Sequence, residues 1–306
     1  MSKNLFLGGI ILAASGVLSP PLALCAGILF AFSFVHPYPL DARRLAKLLL
    51  QISVVGLGFG MDLHQVLRAG RSGFFYTAIS ICFVLLAGWG LGRLLDVKKQ
   101  ISFLVSAGTA ICGGSAIAAL APIIDASEEE IAVSLGTIFV LNSIALLLFP
   151  AIGTTLHLTQ TQFGLWSALA IHDTSSVVGA SAKFGAEALM VGTTVKLARA
   201  LWIVPLALGT SVMHKTRTRI QWPWFILFFC LAAVANTYLP ALHSAYDAFR
   251  HLGIVGLTVT LFLIGTGLSK QSIREVGLRP LLQGIALWAL IGVGSLLLIR
   301  AGWIAL

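Results

Sequence analysis

Charge is scarce in this sequence: 306 residues carry 20 Lys or Arg and 11 Asp or Glu. No hydrophilic stretch long enough to fold as a soluble domain separates its apolar runs, and the longest connection is only about ten residues. The basic residues do not gather on any one segment, so the net charge of +9 does not describe a nucleic-acid face. Four cysteines, Cys25, Cys82, Cys112 and Cys230, lie far apart inside apolar stretches. They show no CxxC or Cys/His spacing, which leaves them as small packing residues rather than a metal centre or disulfide framework. What remains is apolar: 58% of residues are hydrophobic and the mean hydropathy is +0.96. These values predict an all-α polytopic membrane protein.

A helix needs about twenty apolar residues to cross a hydrocarbon core about 30 Å thick. Candidate spans fall at about 5–18, 21–35, 45–62, 72–92, 101–122, 128–150, 161–182, 188–211, 222–239, 250–268 and 280–299. The first run follows Lys3 like a signal peptide, but the next begins at once behind Ser19-Pro20-Pro21, so cleavage is not expected. These two short runs form either two spans or one helix kinked at the prolines, giving ten or eleven spans in a single membrane domain over residues 1–306. Basic residues are retained on the cytoplasmic side. With a cytoplasmic N-terminus, that side holds Lys3, Arg43, Arg44, Lys47, Arg93, Lys98, Lys99, Lys215, Arg217, Arg219, Lys270, Arg274 and Arg279. The opposite side holds Arg68, Arg71, Lys183, Arg250 and Arg300, together with the acidic turn from Asp125 to Glu130 and the C-terminus. The loops 36–47, 93–99, 212–221 and 269–279 are therefore expected to be cytoplasmic. Trp222, Trp224, Tyr38 and Tyr238 suit interfacial anchors.

Two internal similarities stand out. Gly58 to Gly70 matches Gly265 to Gly277 at a constant offset of 207, at the ends of the third and tenth spans. An odd number of crossings separates them, so they point in opposite directions, as inverted transporter repeats do. Ile111-Cys-Gly-Gly-Ser115-Ala-Ile117 also resembles Ile171-His-Asp-Thr-Ser175-Ser-Val177. Those two spans run parallel by simple counting, so either the likeness is coincidental or one segment is re-entrant.

Three charges fall at membrane depth: Asp173 in the seventh span, Lys196 and Arg199 in the eighth. Each costs about 2.5–3.5 kcal/mol at the bilayer centre on insertion scales, so all three must face protein or water. Lys196 and Arg199 share one helical face with Thr193. Asp173 can neutralise only one base, and the surplus suits an anion, more so if His172 is protonated. The bland alternative is an ion pair locking the two spans, with Arg199 snorkelling to an interface. His172 to Ser176 are five polar residues in succession, covering every side of a straight helix, which predicts a protein-surrounded helix or a break. Gly113-Gly114 before Ser115 predicts unwinding or close packing in the fifth span, and a second half-helix starting near Gly114 would aim free N–H groups at an anion. Asn142, alone in the sixth span, reads as an interhelical hydrogen bond or a ligand.

At these residues a family likeness appears. Ala110 to Ala119, Ala170 to Ala180, Lys196-Leu-Ala-Arg199 and Gly267-Leu-Ser269 together resemble the YeiH-type family of bacterial inner-membrane proteins, to which sulfate export is ascribed. The likeness covers nearly the whole chain. It implies kinship with transporters of the bile-acid symporter and cation/proton antiporter architecture, hence inverted repeats and crossed discontinuous helices. It carries over no binding residue. Where family members often have His-Glu in the seventh span, this chain has His172-Asp173, which keeps the acid and shortens its reach.

The expected function is a secondary transporter or channel, with export one direction, for a small anion such as sulfate. Its site would draw on Lys196, Arg199, His172, Asp173, Ser176, Gly113, Gly114, Ser115 and Asn142. The competing reading is a proton- or sodium-coupled carrier with Asp173 as the coupling carboxylate. An enzyme is not expected: Ser175 and Ser176 stand near the neighbouring His172 and Asp173, but no second histidine at membrane depth supports a metal, and hydrolysis is not expected. No cofactor or metal is implied. The partners expected are a small anion and the lipid bilayer, with no nucleic acid; a homo-oligomer is compatible with the sequence but not required by it.

Overall fold

The computed structural model describes residues 2–214, 224–267 and 277–305. Trp222, Ser269, most of the loops 212–221 and 269–279, and most of the second member of the Gly58/Gly265 repeat lie outside the described residues. Among the described residues the regular structure is helical, with no strands. Five helices are long and apolar enough to cross a membrane: Leu63–Leu94, Glu129–Thr155, Ala186–His214, His243–Thr266 and Leu278–Arg300. Shorter apolar helices accompany them, and the chain is an all-α polytopic membrane protein. It forms two compact units, one of residues 1–68 with 223–270 and one of residues 69–222 with 271–306.

The first unit holds α1 (Ser2–Ala14), α2 (Pro20–Ser33), α3 (Pro39–Gly58), α12 (Trp224–Tyr238) and α13 (His243–Thr266). Its α1 and α2 are two helices folded back on each other. Phe6 lies 5.8 Å from Phe30, ring to ring, where a continuous helix would hold them about 36 Å apart. That settles the first two apolar runs as separate elements. Helix α13 lies antiparallel to α3, with Gly256 over Ser53, Gly253 over Gly56, and Phe249 on Phe59 at 5.1 Å. The ends of α3 and α13 thus point in opposite directions, as the first internal similarity requires. Backbone meets backbone here. A Cβ at Gly56 would lie 2.8 Å from the Phe249 carbonyl oxygen, and one at Gly27 only 2.2 Å from that of Phe262.

The second unit holds most of α4 (Leu63–Leu94), then α5 (Lys99–Ala110), α6 (Gly114–Leu120), α7 (Glu128–Thr155), α8 (Gln160–Ala170), α9 (Thr174–Phe184), α10 (Ala186–Ala200), α11 (Ile203–His214) and α14 (Leu278–Arg300). The fifth and seventh candidate spans are broken as expected, at Ile111–Gly113 and Ile171–Asp173. Their halves do not continue in line but fold back as helical hairpins. Ser167 on α8 and Ser181 on α9 touch, Oγ to Oγ, at 2.9 Å, and Phe163 stacks on Phe184 at 3.9 Å. In the first hairpin Ile117 packs on Gly108, and Leu104 shares a cluster with Leu120 and Ile123. Arms of 12, 7, 11 and 11 residues are only about 10–18 Å long, too short to cross a bilayer.

This overturns the parallel reading of the second internal similarity. Both segments are re-entrant, and they enter from opposite ends. Helix α7 runs antiparallel to α8, with Gly153 against Phe163, Phe149 stacked on Trp166 at 4.1 Å, and Asn142 at the second tip. The triplets α5–α6–α7 and α8–α9–α10 are therefore inverted copies, and the matching heptapeptides are their tips. The acidic turn Asp125–Glu130 consequently shares an end with the 93–99 loop, correcting its sequence-based placement on the opposite side. The basic residue count does not change, since no Lys or Arg lies between Lys99 and Lys183. Arg279 at the start of α14 also donates to Asp96 at 2.8 Å, so two loops expected on one side share one end of the unit.

Candidate functional site at the hairpin tips

Breaking a helix leaves the last carbonyls of one half and the first N–H groups of the next without partners. In an apolar interior each must be met by protein. The site is organised around that requirement.

Lys196 and Arg199 stand on one face of α10, as their spacing predicts, and both are fully buried at 0% exposure. The Lys196 ammonium donates to the Ile171 and Ala168 carbonyls, at 2.6 and 3.3 Å. Arg199 reaches both hairpins. Its Nε donates to Ala110 O at 2.6 Å and its Nη2 to Thr109 O at 3.0 Å, closing the end of α5. Its Nη1 donates to Ala168 O at 3.1 Å and to Leu169 O, closing the end of α8. Positive side chains thus meet the negative ends of two helix dipoles.

Asp173 does the reverse job. Its carboxylate caps α9, accepting from the Ser176 N–H at 2.7 Å and the Ser175 hydroxyl at 3.1 Å. The expected ion pair between Asp173 and a base does not form: the described residues contain two salt bridges, and neither involves this trio. Weighing side-chain charges only against one another overlooked the backbone dipoles that neutralise them separately. Asp173 is also the most accessible of the three, at 9%.

Asn142, from the middle of α7, accepts with its Oδ1 from the His172 and Asp173 N–H groups, at 3.1 and 3.3 Å. The third helix of each triplet thereby caps the other triplet's tip, Asn142 taking N–H groups and Arg199 offering them. Gly113 has φ +65°, a left-handed conformation that suits glycine. A Cβ there would lie 3.4 Å from that of Asp173, so the two tips are in contact. Ser115 is exposed, Gly114 partly so, and Ser176 is buried.

Several polar atoms here have no hydrogen-bond partner: both ring nitrogens of His172, Asn142 Nδ2, and the hydroxyls of Thr109, Thr193 and Thr194. The structure therefore brings together Lys196, Arg199, His172, Asp173, Ser176, Gly113 and Asn142, with Gly114 and Ser115 opening the next half-helix. Sequence reasoning missed the carbonyls of Thr109, Ala110, Ala168, Leu169 and Ile171. It also missed Gln283, fully buried, which donates to Gly88 O at 3.0 Å and Ser102 Oγ at 2.8 Å and ties α14 to α4 and α5. A lone amide in an apolar span was the available signal.

A family model described as Conserved hypothetical protein 698 matches residues 6–284. Among curated proteins, the chain is 50% identical over 290 residues to a UPF0324 membrane protein of Bacteroides thetaiotaomicron, covering 93% of this chain and 87% of that one. It is 53% identical over 284 residues to a UPF0324 membrane protein of Porphyromonas gingivalis, covering 91% and 86%. A relative in Bdellovibrio bacteriovorus is 48% identical over 293 residues, covering 94% and 90%. No solved structure matches the chain.

Proposed function

The chain belongs to the Conserved hypothetical protein 698 family of membrane proteins, and from that premise we propose that it is a secondary transporter of a small anion such as sulfate, acting in a bacterial inner membrane. One observation carries the reading: two inverted hairpins touch at tips held by a buried Lys, Arg and Asp. Discontinuous helices meeting within an inverted repeat are how secondary transporters build a solute site near the bilayer midplane. The excess of basic residues in the loops supports a cytoplasmic N-terminus and an external C-terminus.

The roles differ from a simple cationic pocket. Lys196 and Arg199 spend most of their donors on backbone carbonyls, leaving one N–H on each, so they act on the solute chiefly through their field, two positive charges against one carboxylate. Direct contacts come from the groups left free, His172 and Asn142, with Gly113, Gly114, Ser115 and Ser176 beside them. Anion-induced thermal stabilisation and flux in proteoliposomes test this across a panel of anions. His172→Ala should lower the anion response with the protein still folded, while Asp173→Asn should keep it. A second reading has its own observation, since Asp173 is the most accessible charge of the trio. As the carboxylate of a proton- or sodium-coupled carrier, it would make Asp173→Asn alone abolish coupled transport and leave His172→Ala active.

A further inference from the structure

We propose that the cavity at the end of α7 binds an anionic phospholipid, its headgroup phosphate on Lys183 and His157 and an acyl chain along α7. The cavity measures about 510 Å³ and is lined by Pro150, Ala151, Thr154, His157, Lys183 and Phe184 with Leu158. It sits where α7, a helix long enough to span, reaches its last turn, which is headgroup level for a spanning helix. Both basic residues are exposed, and neither forms a salt bridge with a carboxylate among the described residues. Glu187, the acid at this end, is engaged by the Thr161 hydroxyl.

The apolar part of the track is continuous with the polar part. Ile144, Leu147, Leu148 and Ala151 lie on one face of α7 at three- and four-residue steps, and all are exposed. Ala151 is also part of the cavity wall. A free inorganic anion would use Lys183 and His157 alone and not this stripe, which faces the bilayer as the other exposed apolar helix faces do. A lipid uses both, the basic pair for its phosphate and the stripe for its chain. Because the cavity lies between the ends of α7 and α9, the bound lipid would brace the second hairpin against its supporting helix.

Native mass spectrometry of the full chain in mild detergent tests this with phosphatidylglycerol and phosphatidylcholine. Phosphatidylglycerol should be retained preferentially. Lys183→Gln should weaken it about fivefold, the size expected for one basic residue at a membrane surface; Lys183→Arg should restore it. Ala151→Phe, at an exposed position, should block binding independently by filling the track. Equal retention of the two lipids, or no loss in Lys183→Gln and Ala151→Phe, would overturn the proposal. So would displacement of the lipid by millimolar phosphate or sulfate, which would mark a free-anion site, or a lipid-free dimer broken by Ala151→Phe, which would mark a second copy as the occupant.

Discussion

The two units solve the same problem in opposite ways. In the first, intact helices satisfy their own backbones, polar contacts such as His36 with Thr266 and Asn236 with Met61 lie at helix ends, and cohesion along the helices comes from close approach. Gly27 and Gly265, and Gly56 and Gly253, let backbone lie on backbone. In the second, two helices are cut at their middles, and each cut exposes dipole ends that only charged or amide side chains can meet. Lys196, Arg199, Asp173 and Asn142 supply them. Small residues hold unbroken helices together, whereas a broken pair has to be capped from a neighbour. The buried charges are a consequence of the breaks, and the breaks make room for a site.

The sharpest way to break this comparison is to ask whether the second unit contains hairpins at all. The Ser167→Cys/Ser181→Cys double variant should form a disulfide readily on mild oxidation, read as a shift in a protease-fragment assay. On one straight span the two positions would lie about 21 Å apart and could not join. Next in size is Arg199→Ala, which leaves carbonyls at the ends of both α5 and α8 without a donor. Each orphaned buried group costs about 1–3 kcal/mol, so the variant should be lost from the folded fraction or melt far below wild type, with Arg199→Lys intermediate.

For the first unit the corresponding change is Gly27→Leu. It places side-chain atoms where the Phe262 carbonyl oxygen now sits and should cost about 1–3 kcal/mol through overpacking, visible as a lower melting temperature. If Gly27→Leu were neutral, close backbone approach would not be what holds that unit. The smallest effect is the most discriminating. Asp173→Asn keeps an oxygen for the Ser176 N–H, and Asn caps helices as well as Asp, so stability should change by less than about 0.5 kcal/mol, against about 0.5–2 kcal/mol for Asp173→Ala. Had Asp173 been paired with a buried base, the Asn variant would strand that charge at a cost of about 3–5 kcal/mol. Thermal melts of the two variants separate these cases.

Much of this was legible in the sequence. A bilayer leaves an apolar run little choice but helix, so the helices followed from the position of the runs, although two of the runs, 101–122 and 161–182, became pairs of half-helices. The Gly113-Gly114 pair and the polar run from His172 lie within about two residues of both breaks; the polar run cannot sit on a straight lipid-facing helix, whereas the glycine pair suited close packing as well as a break. The three-residue spacing of Lys196 and Arg199 put them on one face. Whether a broken span continues or turns back was not legible, since a hairpin and an interrupted crossing share the same hydropathy.

The partners of the buried charges were hidden for a related reason. A sequence shows side-chain charges but not the partial charges of a helix end, whose position and direction exist only once the chain has folded. By itself, then, the sequence determined that this chain lives in a membrane as helices, where two of them are irregular, and which ionisable groups are buried. Only the tertiary structure decided that the broken helices are inverted hairpins touching at Gly113 and Asp173. It also decided that Lys196 and Arg199 answer carbonyls, because those pairings join residues 25 to 90 apart in the chain, whereas the Asp173 cap is local, on Ser175 and Ser176.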